Sequence, residues 1–173
     1  MIIYKYEKSV DILMGEYTSV NKIMNELLEH PEIIIFSIIK NKRNQRYDEF
    51  LYYVGAQQAL IKRSQQNYQS YIEGEITQSE YDFEDQKNKL LQFICSVQLE
   101  IIAYGREIKH IEMEQKKLQA EPLDDDTQEH INYLVQQIEM KKITIHEKVL
   151  EIEALKSKFY GLQDDTTKQI DMN

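Results

Sequence analysis

Glu107 and His110 have the Glu-x-x-His spacing that supplies ligands to the di-metal sites of helical bundles. Such a site needs a second copy of the motif and two further inward carboxylates, and the sequence contains one copy. Ile108 and Ile111 belong to an apolar stripe, so they face the core and turn His110 toward solvent. The spacing therefore predicts a solvated histidine at position 110 and no metal ion.

The other residues that could catalyse a reaction lack partners in the sequence. Cys95 is the single cysteine and follows a core position, which predicts a half-buried, inert thiol. His30, His130 and His146 have no serine, cysteine or carboxylate at a spacing that would indicate a triad. Glycine-rich phosphate-binding motifs are absent from the sequence. We therefore expect a protein that is not an enzyme and that needs no cofactor.

The formal net charge of -9 is unevenly distributed along the chain. Residues 1–70 carry 9 Lys and Arg against 8 Asp and Glu, whereas residues 71–173 carry 12 against 22. Because like charges repel, the second part is a poor surface for nucleic acid or for an anionic membrane.

Seven of the acids form two groups near predicted helix ends. The first group is Glu80, Asp82, Glu84 and Asp85, and the second is Asp124, Asp125 and Asp126. We interpret both groups mainly as helix caps and solubilising charges. The alternative is an acidic docking surface, by which the protein would act as a decoy inhibitor of a nucleic-acid-handling enzyme.

A basic and tyrosine-rich stretch, residues 40–71, is the candidate for nucleic-acid binding. Cations neutralise phosphates and aromatic rings stack on bases in proteins that bind single strands. The candidate cations are Arg43, Arg46, Lys62 and Arg63, and five of the 12 tyrosines lie in the same stretch. Tyr47 and Tyr68 also fall on a helical seam, where an aromatic ring packs more often in a core or an interface. A nucleic-acid-binding accessory protein is therefore a less favoured alternative.

With 5 glycines and 2 prolines in 173 residues, the chain has too few turn-forming residues for a many-stranded sheet. This composition predicts an all-α fold. Two long apolar seams, with residues spaced alternately four and three apart, predict helices over residues 77–120 and 127–162. We expect these helices to fold back as a long antiparallel, coiled-coil-like hairpin. Lys141 and Lys148 interrupt the second seam, and we expect each to find acids on a neighbouring arm. The seam residues expected to carry assembly are Leu90, Ile94, Val97, Ile101, Tyr104 and Ile108 in the first arm and Ile138, Ile145, Ile152, Leu155 and Phe159 in the second.

Local signals predict where the long helices begin and where the preceding helix ends. Gly74 is a candidate for the left-handed residue that terminates a helix. Thr77 and Glu80 have the spacing of a capping box, which predicts a new helix directly after this glycine. Asp126, with Glu129 three residues further on, is the predicted cap of the last helix. These signals indicate a tight reversal before the hairpin.

The N-terminal part, residues 1–76, is predicted to be helical and to pack on the hairpin, residues 77–163. An apolar stripe predicts a helix over residues 8–29, ended by His30 and Pro31. Residues 32–40 fit a buried helix, which we favour, or a strand, and the basic run that follows fits a loop or a solvated helical turn. Residues 164–173 are predicted to be a flexible tail. A further helical seam, with residues spaced alternately four and three apart, predicts the next helix: Tyr47, Leu51, Val54, Gln58, Ile61, Gln65, Tyr68 and Ile72.

Seams this long are surfaces that another helix covers, and they predict a non-enzymatic helical protein-interaction module. Its expected partners are another protein and a second copy of itself, and its expected work is that of an adaptor, an assembly factor or an inhibitor. The longest apolar run, residues 33–39, is too short to span a bilayer, so we expect a cytoplasmic protein without membrane contact. The bias toward Ile, Lys, Asn, Gln and Tyr is typical of an AT-rich bacterial, phage or mobile-element genome.

Overall fold

The computed structural model of the chain describes residues 28–31, 49–120, 122 and 124–170. Three helices make up nearly all of this part: α1 (Glu49–Ile72), α2 (Gln78–Gln119) and α3 (Asp125–Ile170). Leu28 and Glu29 are also helical, and no strand occurs among the described residues. The predicted all-α fold is therefore confirmed for them. The predictions for residues 1–27 and 32–48 lie outside the described residues.

The reversal between α1 and α2 has the geometry that its sequence predicts. Gly74 has φ +76°, the left-handed conformation that glycine adopts without steric cost. The Glu80 backbone N–H donates to Thr77 Oγ1 at 3.3 Å, and Glu80 Oε2 accepts from the Thr77 backbone N–H at 2.7 Å. This reciprocal pair confirms the predicted capping box. The hydrogen bonds from Thr77 also lower the pKa of the Glu80 carboxyl.

We expect Thr77→Ala to lower the free energy of unfolding by about 1 kcal/mol, because the substitution leaves the Glu80 backbone N–H without its capping acceptor. The pKa of Glu80 is lowered in the folded state, so the carboxylate's contribution is present above its unfolded pKa and is lost as pH falls through the folded value. Urea unfolding followed by circular dichroism at neutral and acidic pH measures both effects. Ser79→Ala, at an exposed site in the same turn, is the control, and equal losses from the two substitutions would contradict this prediction.

The cap of α3 lies two residues before the predicted one. The Thr127 backbone N–H donates to Asp124 Oδ1 at 2.7 Å, so the cap is Asp124, and the assignment of Asp126 was wrong. Three successive aspartates can each cap a helix, and spacing does not distinguish between them. With Asp124 as the cap, Asp125 and Asp126 lie in the first turn, where negative charge is favourable. The hydrogen bonds from Thr127 also lower the pKa of Asp124.

The chain divides into two compact units, one formed by Met1–Ser96 with Ala154–Asn173 and the other by Val97–Glu153. Both limits of the second unit fall within helices, whereas the sequence places a boundary near residue 76. The helix α3 continues to Ile170. It therefore includes residues 164–170, for which the sequence predicts a flexible tail, and this segment has no glycine or proline to end a helix.

The core of the first unit uses a different face of α1 from the one predicted. Ile61, Tyr68 and Ile72 of the predicted seam are exposed, so these three residues do not contribute to this core. The buried face contains small residues, which let a neighbouring helix come close. Hydrogen bonds from Gln57 Nε2 to Ser96 Oγ at 3.0 Å and from Asn67 Nδ2 to the Tyr81 carbonyl at 3.2 Å join this face to α2. The buried apolar residues are Tyr52, Tyr53, Ala56, Ala59 and Leu60 from α1, Leu91, Ile94 and Cys95 from α2, and Phe159 from α3.

Asn88 on α2 is a polar residue inside this core. Its side chain is 1% exposed. Neither its amide nitrogen nor its amide oxygen has a hydrogen-bond partner in the described part of the chain. Burying an amide without a partner is unfavourable, so Asn88 is expected to lower the stability of the unit.

In the unit Val97–Glu153, α2 and α3 contact each other with their residues in reverse order. Glu107 pairs with Lys141 and Glu100 pairs with Lys148, which confirms the prediction that these two lysines find acids on the other helix. The hydrogen bond to Glu100 raises the pKa of Lys148. Tyr104 presents its ring to the Lys141 ammonium, 5.5 Å from the ring centroid. The buried residues between these helices are Val97, Ile108, Ile131, Leu134, Ile138 and Ile152.

Candidate protein-interaction surfaces

The predicted assembly residues are buried or half-buried within the chain itself. Ile94, Val97, Ile108, Ile138, Ile152 and Phe159 are buried. Leu90, Ile101, Tyr104, Ile145 and Leu155 are half-buried. These residues therefore contribute to the cores of their units, and a contact of theirs with another protein stays a prediction.

A second apolar surface lies on the opposite side of α3. Tyr133, Met140, Ile143 and Leu150 are 54%, 63%, 59% and 57% exposed, respectively. Gln136 and Glu147 complete the same row, and both are exposed. Successive members are three or four residues apart, so the six residues line one face of the helix. We call this row the outer face.

The outer face is opposite the core of its own unit. Tyr133 and Met140 each follow a buried isoleucine, Ile131 or Ile138, by two residues. Two residues correspond to about 200° around a helix. The helix is therefore apolar on two opposite sides, and only one side is covered. Contiguous exposed apolar surface on a protein marks a site of contact with another macromolecule.

The predicted seams do not include the outer face, although its signal is present in the sequence. The buried seam and the outer face share the same alternating spacing and differ by an offset of two residues. The buried seam is the longer of the two stripes, so the periodicity of the sequence indicates it more strongly than the outer face. A helix with two apolar stripes is typical of the middle of an assembly, where both sides are covered.

A shallow groove of about 480 Å³ is a further apolar surface, in the first unit. Phe93 in its lining is mostly exposed, and two lysines also line it. Lys89 forms an ion pair with Asp85 at 2.7 Å, which raises the pKa of Lys89. The groove is lined by Gln86, Lys89, Leu90, Phe93, Lys158, Gly161 and Leu162.

Most acids of the first predicted group are engaged within the chain. Glu80 accepts a hydrogen bond from the Thr77 backbone N–H in the capping box of α2, and Asp82 Oδ1 accepts one from Gln78 at 2.9 Å. Glu84 forms ion pairs with Arg63 at 3.4 Å and with Lys87 at 3.1 Å. Of the second group, Asp124 caps α3, and Asp125 and Asp126 are exposed in its first turn. These contacts are those of helix caps and local ion pairs.

The four nucleic-acid candidates do not form a cluster among the described residues. Arg43 and Arg46 lie outside the described part of the chain, and Lys62 is exposed. Arg63 is half-buried, donates to the Leu28 carbonyl at 2.7 Å and pairs with Glu84. Two of the candidate tyrosines, Tyr52 and Tyr53, are buried. Tyr71 stacks on Tyr81 with ring centroids 5.0 Å apart.

The candidate chemical groups are dispersed. Cys95 is fully buried where a half-buried thiol was predicted, and burial raises the pKa of its thiol. His110 is exposed, as predicted. In the part of the chain that the structure describes, no three His, Cys, Asp or Glu side chains are grouped to hold a metal ion. None of the described helices is long and apolar enough to span a bilayer.

Comparison of the chain with protein-family models, with curated proteins and with solved structures finds no match. A functional hypothesis therefore depends on the surfaces of this chain. Of these, the outer face of α3 has the most exposed large apolar residues in one row, four in the described part of the chain.

Proposed function

We propose that this protein is a non-enzymatic helical interaction module. It binds another protein and a second copy of itself, and it acts as an adaptor, an assembly factor or an inhibitor. The observation that supports the proposal best is the outer face of α3, where four large apolar side chains lie in one row and are each more than half exposed. When a partner removes such a face from water, the free energy of the system falls, so binding is favourable.

The proposal includes the pairing of α2 and α3 as a long antiparallel, coiled-coil-like hairpin. Its support is the reverse order of the ion pairs Glu107–Lys141 and Glu100–Lys148 and the alternating spacing of the buried residues. In such a hairpin one side of α3 packs on α2, and its other side is available to a partner.

Two other functions receive less support. An acidic decoy needs carboxylates that are available to a basic site, and Glu80, Asp82 and Glu84 are engaged in hydrogen bonds and ion pairs within the chain. A nucleic-acid accessory protein needs free cations near exposed rings, and Arg63 is paired with Glu84. The interaction module needs neither, because its binding surface is apolar.

Capture of partners from a lysate of the native host tests the proposal. We expect the tagged protein to retain another protein in a stoichiometric amount, and this capture should survive nuclease treatment. Ile143→Asp should abolish the capture, because it places a charge in the middle of the outer face. Retained nucleic acid, or proteins lost on nuclease treatment, would instead favour the basic stretch of residues 40–71.

A matched control for this experiment is Met113→Asp. Met113 lies on α2 in the same unit and is as exposed as Ile143, at 59%. It is not part of the outer face. If both substitutions reduced capture equally, the outer face would not be the binding surface and the support for the proposal would be lost.

A further inference from the structure

We infer that the outer face of α3 binds the outer face of a second copy of this chain, with the two helices antiparallel. This inference rests on the proposed interaction function and names the partner. The row Tyr133, Gln136, Met140, Ile143, Glu147 and Leu150 is self-complementary under a two-fold axis perpendicular to the helix. Such an axis is the commonest symmetry of homodimers.

The axis passes between residues 141 and 142, and it places members of the row whose numbers add up to 283 opposite each other. Met140 of one copy then meets Ile143 of the second copy, and this layer occurs twice. Tyr133 meets Leu150 of the second copy, also twice. This arrangement therefore pairs all four apolar residues of each copy with apolar residues of the other. In the single chain, each of the four is more than half exposed. Each such contact removes apolar surface from water.

The polar members of the row also match in this arrangement. Gln136 lies opposite Glu147 of the second copy, so an amide N–H can donate to a carboxylate oxygen. A hydrogen bond to an ionised acceptor is stronger than one between neutral groups. The two polar layers flank the two central apolar layers, and each polar layer has a donor and an acceptor.

Other alignments of the same face are worse. In a parallel pair, Glu147 would lie against Glu147 of the second copy, and two carboxylates would be brought together inside the contact. Sliding the antiparallel pair by one heptad places Ile143 against Glu147, or Met140 against Gln136. Only the alignment centred between residues 141 and 142 pairs each residue of the row with a compatible one.

The residues at the edges of the outer face are compatible with this alignment. Each carboxylate at an edge faces a group that can donate a hydrogen bond. Because the two-fold axis places the same side of both helices together, each edge residue faces the edge residue of that side nearest in height, and the two numbers add up to 281 or 285. Glu139 faces His146 of the second copy, Glu151 faces His130, and Glu153 faces Asn132. No edge position brings two like charges together, which favours this register electrostatically.

The contact is small, and this sets the concentration at which it should be measured. The row spans 18 residues, which corresponds to a strip ~27 Å long. Standard stable interfaces bury about 800 Å² on each partner, and a single helix face provides less. We therefore expect a dimer that forms in the micromolar range.

Sedimentation equilibrium of the full chain over the micromolar range tests the inference. We expect a monomer–dimer equilibrium for the wild type. We also expect Ile143→Asp to raise the dissociation constant at least about tenfold, because the substitution puts a charge in both central layers. Met113→Asp should leave the dissociation constant unchanged. A chain that stays monomeric throughout, or an equal effect of both substitutions, would overturn the inference.

Disulfide cross-linking tests the alignment. Gln136→Cys and Glu147→Cys lie opposite each other in the antiparallel pair, whereas two copies of residue 136 are ~16 Å apart along the helix. We therefore expect a mixture of the two single variants to form a disulfide-linked dimer under oxidation, whereas each variant alone should form no covalent dimer. The natural Cys95 is fully buried and should not contribute. Cross-linking of each variant with itself would overturn the antiparallel alignment.

The same samples distinguish this inference from the broader proposal. If the chain is monomeric and yet captures a host protein in an Ile143-dependent manner, the dimer is wrong and the interaction function stands. If the chain dimerises through the outer face and captures nothing, the dimer stands, and the binding of a different partner is refuted.

Discussion

Replacement of Ile138 by Asp is expected to unfold the unit Val97–Glu153. Ile138 is 6% exposed and belongs to the buried seam of α3. The substitution removes a large apolar side chain from the core and places a carboxylate there. Loss of the buried side chain costs about 2–5 kcal/mol, and burying a charge adds to this. The total, at least about 4 kcal/mol, approaches the whole stability of a typical domain. Circular dichroism during urea unfolding measures the loss.

Ile143→Asp is the matched control for Ile138→Asp, because it makes the same chemical change five residues further along the same helix. Ile143 is exposed, so no core contact is lost. Glu139 and Glu147 lie one turn away on either side, and like charges at this spacing cost a few tenths of a kcal/mol each. We therefore expect a loss of less than about 1 kcal/mol at a protein concentration where the chain is monomeric. Equal losses from the two substitutions would mean that the two faces of α3 are not distinct.

Replacement of Asn88 by Leu is expected to raise the stability of the first unit by about 1–3 kcal/mol. The amide is buried, and neither of its polar atoms bonds to another group in the described part of the chain. A buried polar group without a partner costs about this much, and Leu has the same branching with apolar atoms. Asn88→Asp should be strongly destabilising, because it adds a buried charge. The midpoint of urea unfolding, at unchanged slope, measures both changes.

The substitution Asn88→Ala distinguishes two reasons why Asn88→Leu could fail to stabilise the unit: overpacking by the larger side chain, or loss of a hydrogen bond that Asn88 makes. Leu is larger than Asn, so strain alone could offset the gain. Asn88→Ala removes the amide without adding volume and should cost less than about 1 kcal/mol, because the lost contacts are offset by the relief of the buried amide. If Ala and Leu were both destabilising by about 2 kcal/mol or more, the amide would have a partner, such as a bound water, and the prediction would be wrong.

Much of the fold could be predicted because local signals govern helix formation. Gly74 and the pair Thr77 and Glu80 act over a few residues, and their backbone geometry follows from their types. The buried face of α1 could not be predicted in the same way. The heptad spacing selected residues such as Ile61, whereas the core uses Ala56 and Ala59. Small residues are weakly hydrophobic, and their value in a core depends on how close the neighbouring helix lies, which periodicity does not encode.

The interaction surface could not be predicted from the sequence for a different reason. Residues of the buried seam, such as Ile138 and Ile152, have the apolar character and spacing of an assembly surface, and the chain itself covers them. The row with Met140 and Ile143 has the same spacing and is exposed. Periodicity identifies both rows as surfaces that a helix can cover. Which row the chain covers depends on the position of α2, and that is a tertiary property.

The ion pairs between α2 and α3 do not by themselves fix the alignment of these two helices. Glu100, Glu107 and Glu114 are spaced by seven residues, as are Lys141 and Lys148. A slide of one helix by seven residues would pair Lys148 with Glu107 and Lys141 with Glu114, and two bridges would survive. The bridges are therefore degenerate between these alignments. The connection at residues 120–124 removes the degeneracy, because the slide would require the first turns of α3 to unwind. If the backbone were cleaved there, α2 and α3 would belong to separate fragments, and the ion pairs would permit more than one alignment between them.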